Sequence, residues 1–410
     1  MRRRHSVRLL GLALVALLTL GGVVLGQGTR ITFIAQPWGA PDQALLADFT
    51  SRTGIAVEII SLPSDQLYSR VQIASVANQA PADVVYLSEE APSFIVTPGF
   101  VRPLNDLVER DGAAINVDEI QRRDFWTIDG NMYGLTAYVQ LVMLDYNAAR
   151  LAQAGLSPPT TWDAFFNAAV ALKQQGLDQY PIAFGAIDWS WFLMALSMGD
   201  PLFDADLNPT FNAPDSQGRR AMRLLERMFD EGLITPDVIT GTTPHSIFWG
   251  GIGTLHQAWQ GSLSPGNNPN ISQQAPNVRQ LLMPEEHWTW ALDAAIGISQ
   301  FSQNVDAAWE FIKFYLSPEN QIAIFNGVGL IPSRLSAQDT INAQGRNQDF
   351  EVQVEQAEYV RPLPRQVTWW GQWTTEVVAQ IRTMAAGQTS ADAVIDTIAA
   401  QWLDLKSEFE

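Results

Sequence analysis

The feature that most restricts the fold is an alternation of strand and helix patterns near the start of the chain. ITFIA is an apolar run of strand length, DQALLADFTSRTG is a helix pattern stopped by Gly54, and IAVEIISL is a second strand. DQLYSRVQIASVANQ follows with Leu67, Val71 and Ala74 at helical spacing, and ADVVYLS is a third strand. Strands alternating with helices build βαβ units and a parallel sheet, so the expected class is α/β. Ligands of such sheets sit beyond the carboxyl ends of the strands, here Gln36 to Trp38, Ser61 to Ser64 and Ser88 to Glu90.

A chain of 410 residues exceeds what one core supports, which points to two lobes. Its 14 tryptophans give it ample apolar area to bury. MRRRHSVR followed by the apolar run Leu9 to Gly26 has the form of a secretory signal, residues 1–26, with small residues for cleavage after Gly26 or Gly28. The alternative is an uncleaved anchor, since 18 apolar residues lie at the lower edge of spanning length. Losing the four arginines of that segment takes the formal charge from -18 to -22. No basic patch remains for a nucleic acid, and the acidic coat reads as a solubility device. Cysteine is absent, which excludes disulfides and a lipid-modified amino-terminal Cys, and makes a periplasm the natural compartment.

Further along, GNMYGLTAYVQLVMLDYN is a long β-prone run whose Asn147 can cap the next helix, AARLAQAG, which stops at Gly155. Thr160 and Asp163 have capping-box spacing ahead of WDAFFNAAVALKQQ. DAAIGIS is strand-like, Ser317 and Pro318 open a helix, and two amphipathic helices split by Gly387 end the chain.

YGLTAYVQLVMLDYNAARLAQAGLSPPTTWDAF, FWGGIGTLHQAW, AIGISQFSQNVDAAWEFIKFYLSPENQ and AAGQTSADAV, in that order, resemble the extracellular solute-binding proteins of the maltose-binding type, which serve ABC importers of sugars and related solutes. The chain departs from the family pattern at Thr136, where a Pro is usual, at Ile252 in place of Lys, and at Asp293 and Ala294 in place of paired glycines. The resemblance implies two α/β lobes joined by crossing strands around a cleft that closes on the solute. Lobe one would take residues 29–137 and 293–331, and lobe two residues 138–292 and 332–410, with YVQLVM as the first crossing. The partners implied are a small carbohydrate, a permease and its separate ATPase, for a monomer without enzymatic chemistry.

A carbohydrate site wants flat aromatics against C–H faces and planar polar groups for hydroxyls. Trp38 fits as a large ring in the loop beyond the first strand. The resemblance places sugar-hydroxyl acceptors at Glu89 and Glu90, of which only one should face the ligand if the segment is extended, and a polar contact at Gln140. Asp188, Trp189 and Trp191 form a polar and aromatic cluster past YPIAFGA; Trp259 matches a family aromatic, and Asp293 lies on the second crossing. One of Trp369, Trp370 and Trp373 would be the family's stacking platform, while Arg334 could touch solute or bridge the lobes. Trp162, Trp309 and Trp402 lie on helical apolar faces and read as core. His5, His245, His256 and His287 lack metal spacing, no cofactor motif is present, and three lysines in helices offer no Schiff base. Two rival readings are a polyamine or other cation on the same fold, and a secreted glycoside hydrolase using two cleft carboxylates.

Overall fold

The computed structural model describes residues 28–345 and 348–409; the segment 1–26 expected to direct export lies outside the described residues. The strands in chain order are β1 (Arg30–Ala35), β2 (Ala56–Ser61), β3 (Val84–Leu87), β4 (Thr127–Ile128), β5 (Asn131–Met132), β6 (Leu135–Tyr138), β7 (Val142–Asn147), β8 (Ile182–Ala183), β9 (Leu255–Trp259), β10 (Val278–Leu281) and β11 (Ala294–Ile298). They form a five-stranded sheet ordered β2-β1-β3-β11-β6, a four-stranded sheet ordered β10-β7-β9-β8, and the small β4-β5 ribbon. In the larger sheet β1 pairs in parallel with β2 and β3, as the strand–helix alternation requires, and β11 runs antiparallel to both β3 and β6.

Local signals fix the elements. The Gln43–Thr53 helix begins where Asp42 accepts from the Leu45 N–H and ends at Gly54, whose φ of 73° suits only a residue without Cβ. Asn147 caps Ala148–Gln153 through the Arg150 N–H, and Ser317 caps Pro318–Val328. The expected cap at Thr160 falls one residue later: Thr161 accepts from the Ala164 N–H at 3.1 Å. The two threonines are adjacent, and only backbone geometry separates them.

Each sheet has its own core. Phe33, Phe49, Phe311 and Tyr315 meet edge-on and tilted beneath the larger sheet. Trp162 and Trp402 lie in the other core and Trp309 in the first, all fully buried as their helical spacing required, and Trp191 and Trp373 are buried beside Trp402. Among the described residues no helix is long and apolar enough to cross a membrane.

The chain passes between the sheets in segments that run side by side. The expected crossing YVQLVM is interrupted: β6 ends at Tyr138 in one sheet and β7 starts at Val142 in the other. Between them Val139 N–H donates to Ile331 at 3.1 Å, and Gln140 C=O accepts from Leu292 at 2.8 Å. Past Pro332 the Leu335–Ala343 helix packs on Pro318–Val328, with Ile341 against Phe325, before the chain reaches the second core. At the crossing Gly261 meets Gly329 backbone to backbone, and a Cβ at Gly261 would overlap the Gly329 carbonyl. A larger residue there would push the two halves apart.

Candidate functional site

In both sheets the predicted residues collect where parallel strands end. Trp38 rides on the short turn Pro37–Gly39 after β1 and is 44% exposed. That turn is pinned from below: the Tyr315 hydroxyl donates to Gly39 C=O at 2.9 Å, and a Cβ at Gly39 would overlap the Tyr86 ring. Glu89 and Glu90 follow β3 in a turn closed by Ala91 N–H to Ser88 C=O at 2.8 Å. Because the strand stops at Leu87, the alternation expected of an extended segment does not apply. Glu89 acts on Tyr138 and Asp188, and Glu90 on Asp188 and Arg365, so both carboxylates lie within electrostatic reach of the second lobe.

On the other side, β8 and β9 run parallel; Trp259 is the last residue of β9, and Asp188 and Trp189 open the helix that follows β8. Trp189 is half-buried, its edge on Trp290 at 5.8 Å and 87°. Trp259 is half-buried with its edge on His245 at 4.5 Å. The histidines that look scattered in sequence meet here. A carbonyl can only accept, so His256 Nδ1 donates to Ala183 C=O at 3.0 Å, and its Nε2 accepts from His245 Nδ1 at 3.1 Å. Burial pushes His245 down to about 4 and His256 well below the usual range, keeping both neutral in this arrangement. The pair holds the His245 ring against Trp259.

Electrostatics tie the two sides together. Burial, with Glu89 and Asp188 adding to it, pushes the Glu90 carboxyl up to about 8 against the pull of Arg365. Burial also lifts Asp188 to about 6, opposed by the Trp189 N–H and Arg365. At neutral pH Glu90 therefore carries a proton and can donate as well as accept. Asp293 is buried and accepts from Arg122 Nε at 2.7 Å; burial raises its pKa and Arg122 opposes the rise. A cavity of about 650 Å³ opens beside it, lined among others by Arg122, Phe125, Phe203, Trp290, Arg361 and Arg365.

Six candidate contacts are elsewhere. Trp191, Trp370 and Trp373 are fully buried, and Trp369 is 5% exposed against Trp402 and Phe409. The Trp370–Ala385 helix buries Trp370, Trp373, Val377, Ile381 and Met384 at helical spacing, which aims that stripe at the core. Trp191 Nε1 donates to Gly218 C=O at 2.9 Å and Trp373 Nε1 to Ile398 C=O at 2.8 Å, so neither indole lacks a partner. Gln140 is buried, with its carboxamide oxygen accepting from Gly261 N–H at 2.8 Å at the crossing. Arg334, the residue that could touch solute or bridge, is buried and donates to the Leu316 and Asn116 carbonyls, tying the start of segment 332–410 to segments 293–331 and 29–137.

Three features were not legible beforehand. Trp290 and Arg365 line the cavity, and each has a buried donor without an acceptor, Nε1 and Nε respectively. Gln36, at the end of β1, is fully buried with both amide atoms unpartnered. Phe94, stacked on Tyr68 at 5.0 Å and 11°, presses on Gly371 at the start of the Trp370–Ala385 helix, where any Cβ would overlap its ring. There the two lobes touch.

Known proteins share this architecture. The maltose-bound MalE3 of T. maritima superimposes with a TM-score of 0.80 at 19% identity, covering 92% of this chain and 100% of that one. A solute-binding protein from Agrobacterium radiobacter K84 in complex with ribitol gives 0.83 at 20% identity, covering 92% and 99%. A relative from Sinorhizobium fredii, described as a probable amino-acid ABC transporter periplasmic-binding protein, is 25% identical over 331 residues, 76% of this chain and 74% of its own. The family model for bacterial extracellular solute-binding proteins matches residues 44–359, most of the chain. This protein therefore belongs to the bacterial extracellular solute-binding protein family.

Proposed function

We propose that this protein captures a carbohydrate between its two lobes, residues 29–137 with 293–331 and residues 138–292 with 332–410, and delivers it to an ABC permease driven by a separate ATPase. It works in the periplasm as a monomer and acts by binding alone, without covalent chemistry. The observation that carries this reading is that partly exposed indoles, Trp38, Trp189 and Trp259, lie at strand ends of both sheets, where Glu89 and Glu90 of one side act on Asp188 of the other. Flat rings take the C–H faces of a sugar, and the carboxyl groups take its hydroxyls. A solute that touches both lobes favours the closed form by its differential affinity, which is the signal a permease reads. A dissociation constant of about 1 μM, roughly -8 kcal/mol, suits capture and release.

The maltose- and ribitol-bound neighbours support a polyhydroxylated solute. A polyamine is disfavoured because the Arg365 guanidinium acts on the same carboxyl groups that would hold it. An amino acid is the second reading, favoured by the Sinorhizobium relative. Thermal-shift screening against saccharides, polyols, amino acids and polyamines tests the assignment, since a ligand of the native state must raise the midpoint. A rise with a saccharide supports it, and a rise confined to amino acids or polyamines overturns it.

A further inference from the structure

Arg365 lies in the loop that leads into the Trp370–Ala385 helix and is only 4% exposed. Its Nη1 reaches a single backbone oxygen, that of Ala291, at the long distance of 3.4 Å, and its Nε is enclosed without an acceptor. Among the described residues no carboxylate forms an ion pair with it. The nearby Asp293, on which Arg365 also acts through space, is already held by Arg122 at 2.7 Å. Asp124 and Asp204 also line the cavity without pairing to Arg365, and Glu90 and Asp188 act on it only from a distance. Arg361, on the same cavity wall, stacks on Trp288 at 4.5 Å and donates only to the Val360 carbonyl.

A buried guanidinium without a counter-ion is costly, and proteins pair or hydrogen-bond such groups unless a ligand does so for them. Its Nε and Nη edge is a planar two-donor fork, a shape that matches a carboxylate. The cavity of about 650 Å³ beside it has room for a sugar ring.

We propose that Arg365 selects a solute bearing a carboxylate, a uronic-acid unit, whose two oxygens meet the Nε and Nη donors while the ring lies in the cavity against Trp290 and Phe203. The inference rests on the carbohydrate reading above and names the solute class within it. Arg365 is then a specificity-determining contact.

The test is calorimetric titration of the chain from Gln27 onward with D-galacturonate, D-glucuronate, their neutral parents D-galactose and D-glucose, and L-glutamate, repeated on Arg365→Gln and Arg365→Lys. Ligand-free unfolding midpoints are measured alongside. The expected result is a uronate that binds about tenfold or more tighter than its neutral parent. Arg365→Gln abolishes that difference, Arg365→Lys keeps part of it, and ligand-free Arg365→Gln melts no lower than the unsubstituted chain. Equal binding of uronate and parent, or unchanged uronate binding by Arg365→Gln, overturns the inference and leaves the carbohydrate reading standing. Binding of glutamate alone keeps the carboxylate contact and removes the carbohydrate reading. A lower ligand-free midpoint together with an equal loss for every solute would make Arg365 a structural prop and overturn the inference.

Discussion

Two groups of tryptophans divide the second lobe. In the core Trp191, Trp373 and Trp402 are fully buried, and each indole N–H reaches a backbone carbonyl at 2.7 to 2.9 Å. At the cleft Trp189 and Trp259 are half-exposed, and Trp290 is enclosed with its N–H unpartnered. Both groups are rich in edge-on ring contacts, so aromatic packing alone does not tell them apart. What separates Trp189 and Trp259 is that they stay partly exposed, since an indole N–H without an acceptor occurs in both groups, at Trp369 in the core and at Trp290 by the cavity. A fully buried ring stabilises the lobe, and a partly exposed one is available to a solute.

That division predicts opposite phenotypes. Trp373→Ala removes a ring packed among Trp191, Phe211 and Trp402, and urea unfolding is expected to show a loss of about 3–5 kcal/mol, with solute affinity of the folded protein intact. Next in size is the point where the lobes touch. Gly371→Val sets a side chain against Phe94 and opposes closure, so affinity should fall about tenfold to a hundredfold with little change in the unfolding midpoint. Adding Phe94→Ala should restore part of that affinity, a non-additivity that only a direct contact gives. Trp189→Ala and Trp259→Ala are expected to cost about tenfold in affinity by calorimetry, and less stability than Trp373→Ala. If Trp189→Ala unfolds as readily as Trp373→Ala, the division between the groups is wrong.

The smallest effect concerns pH. The Glu90 carboxyl is raised to about 8 in the folded state by burial and its acidic neighbours, above its ordinary value, so the folded form holds the proton more tightly. The stability this contributes is complete below about 4.5 and declines as pH rises toward 8. Glu90→Gln should flatten the dependence of the melting midpoint over that window.

The sequence carried the fold well because its signals are local. Strand–helix alternation over ITFIA to ADVVYLS is a period that neighbours impose on one another, and β1, β2 and β3 appear where it puts them. The expected caps Asn147 and Ser317 act within three residues of themselves, and Thr160 failed only by one position. The site was partly legible. Trp38, Glu89, Glu90, Asp188, Trp189 and Trp259 lie at or near the strand ends where the alternation puts them, because parallel strands deliver their ends to one edge. Trp370 and Trp373 were misread although their spacing with Val377 and Ile381 is that of a buried helical stripe, because the resemblance to a family platform outweighed the period. Arg365 could not be read at all. Its significance depends on Ala291, Asp293 and Arg122, which are remote in sequence and become neighbours only when the lobes assemble.

The most direct test of the account is calorimetric titration of the chain from Gln27 onward with a saccharide panel, run in parallel on Trp189→Ala and Trp373→Ala. The account predicts that one saccharide class binds with a dissociation constant on the order of 1 μM, that Trp189→Ala loses most of that affinity, and that folded Trp373→Ala keeps it. Saccharide binding that survives Trp189→Ala unchanged, or no saccharide binding while an amino acid or polyamine binds, would contradict it.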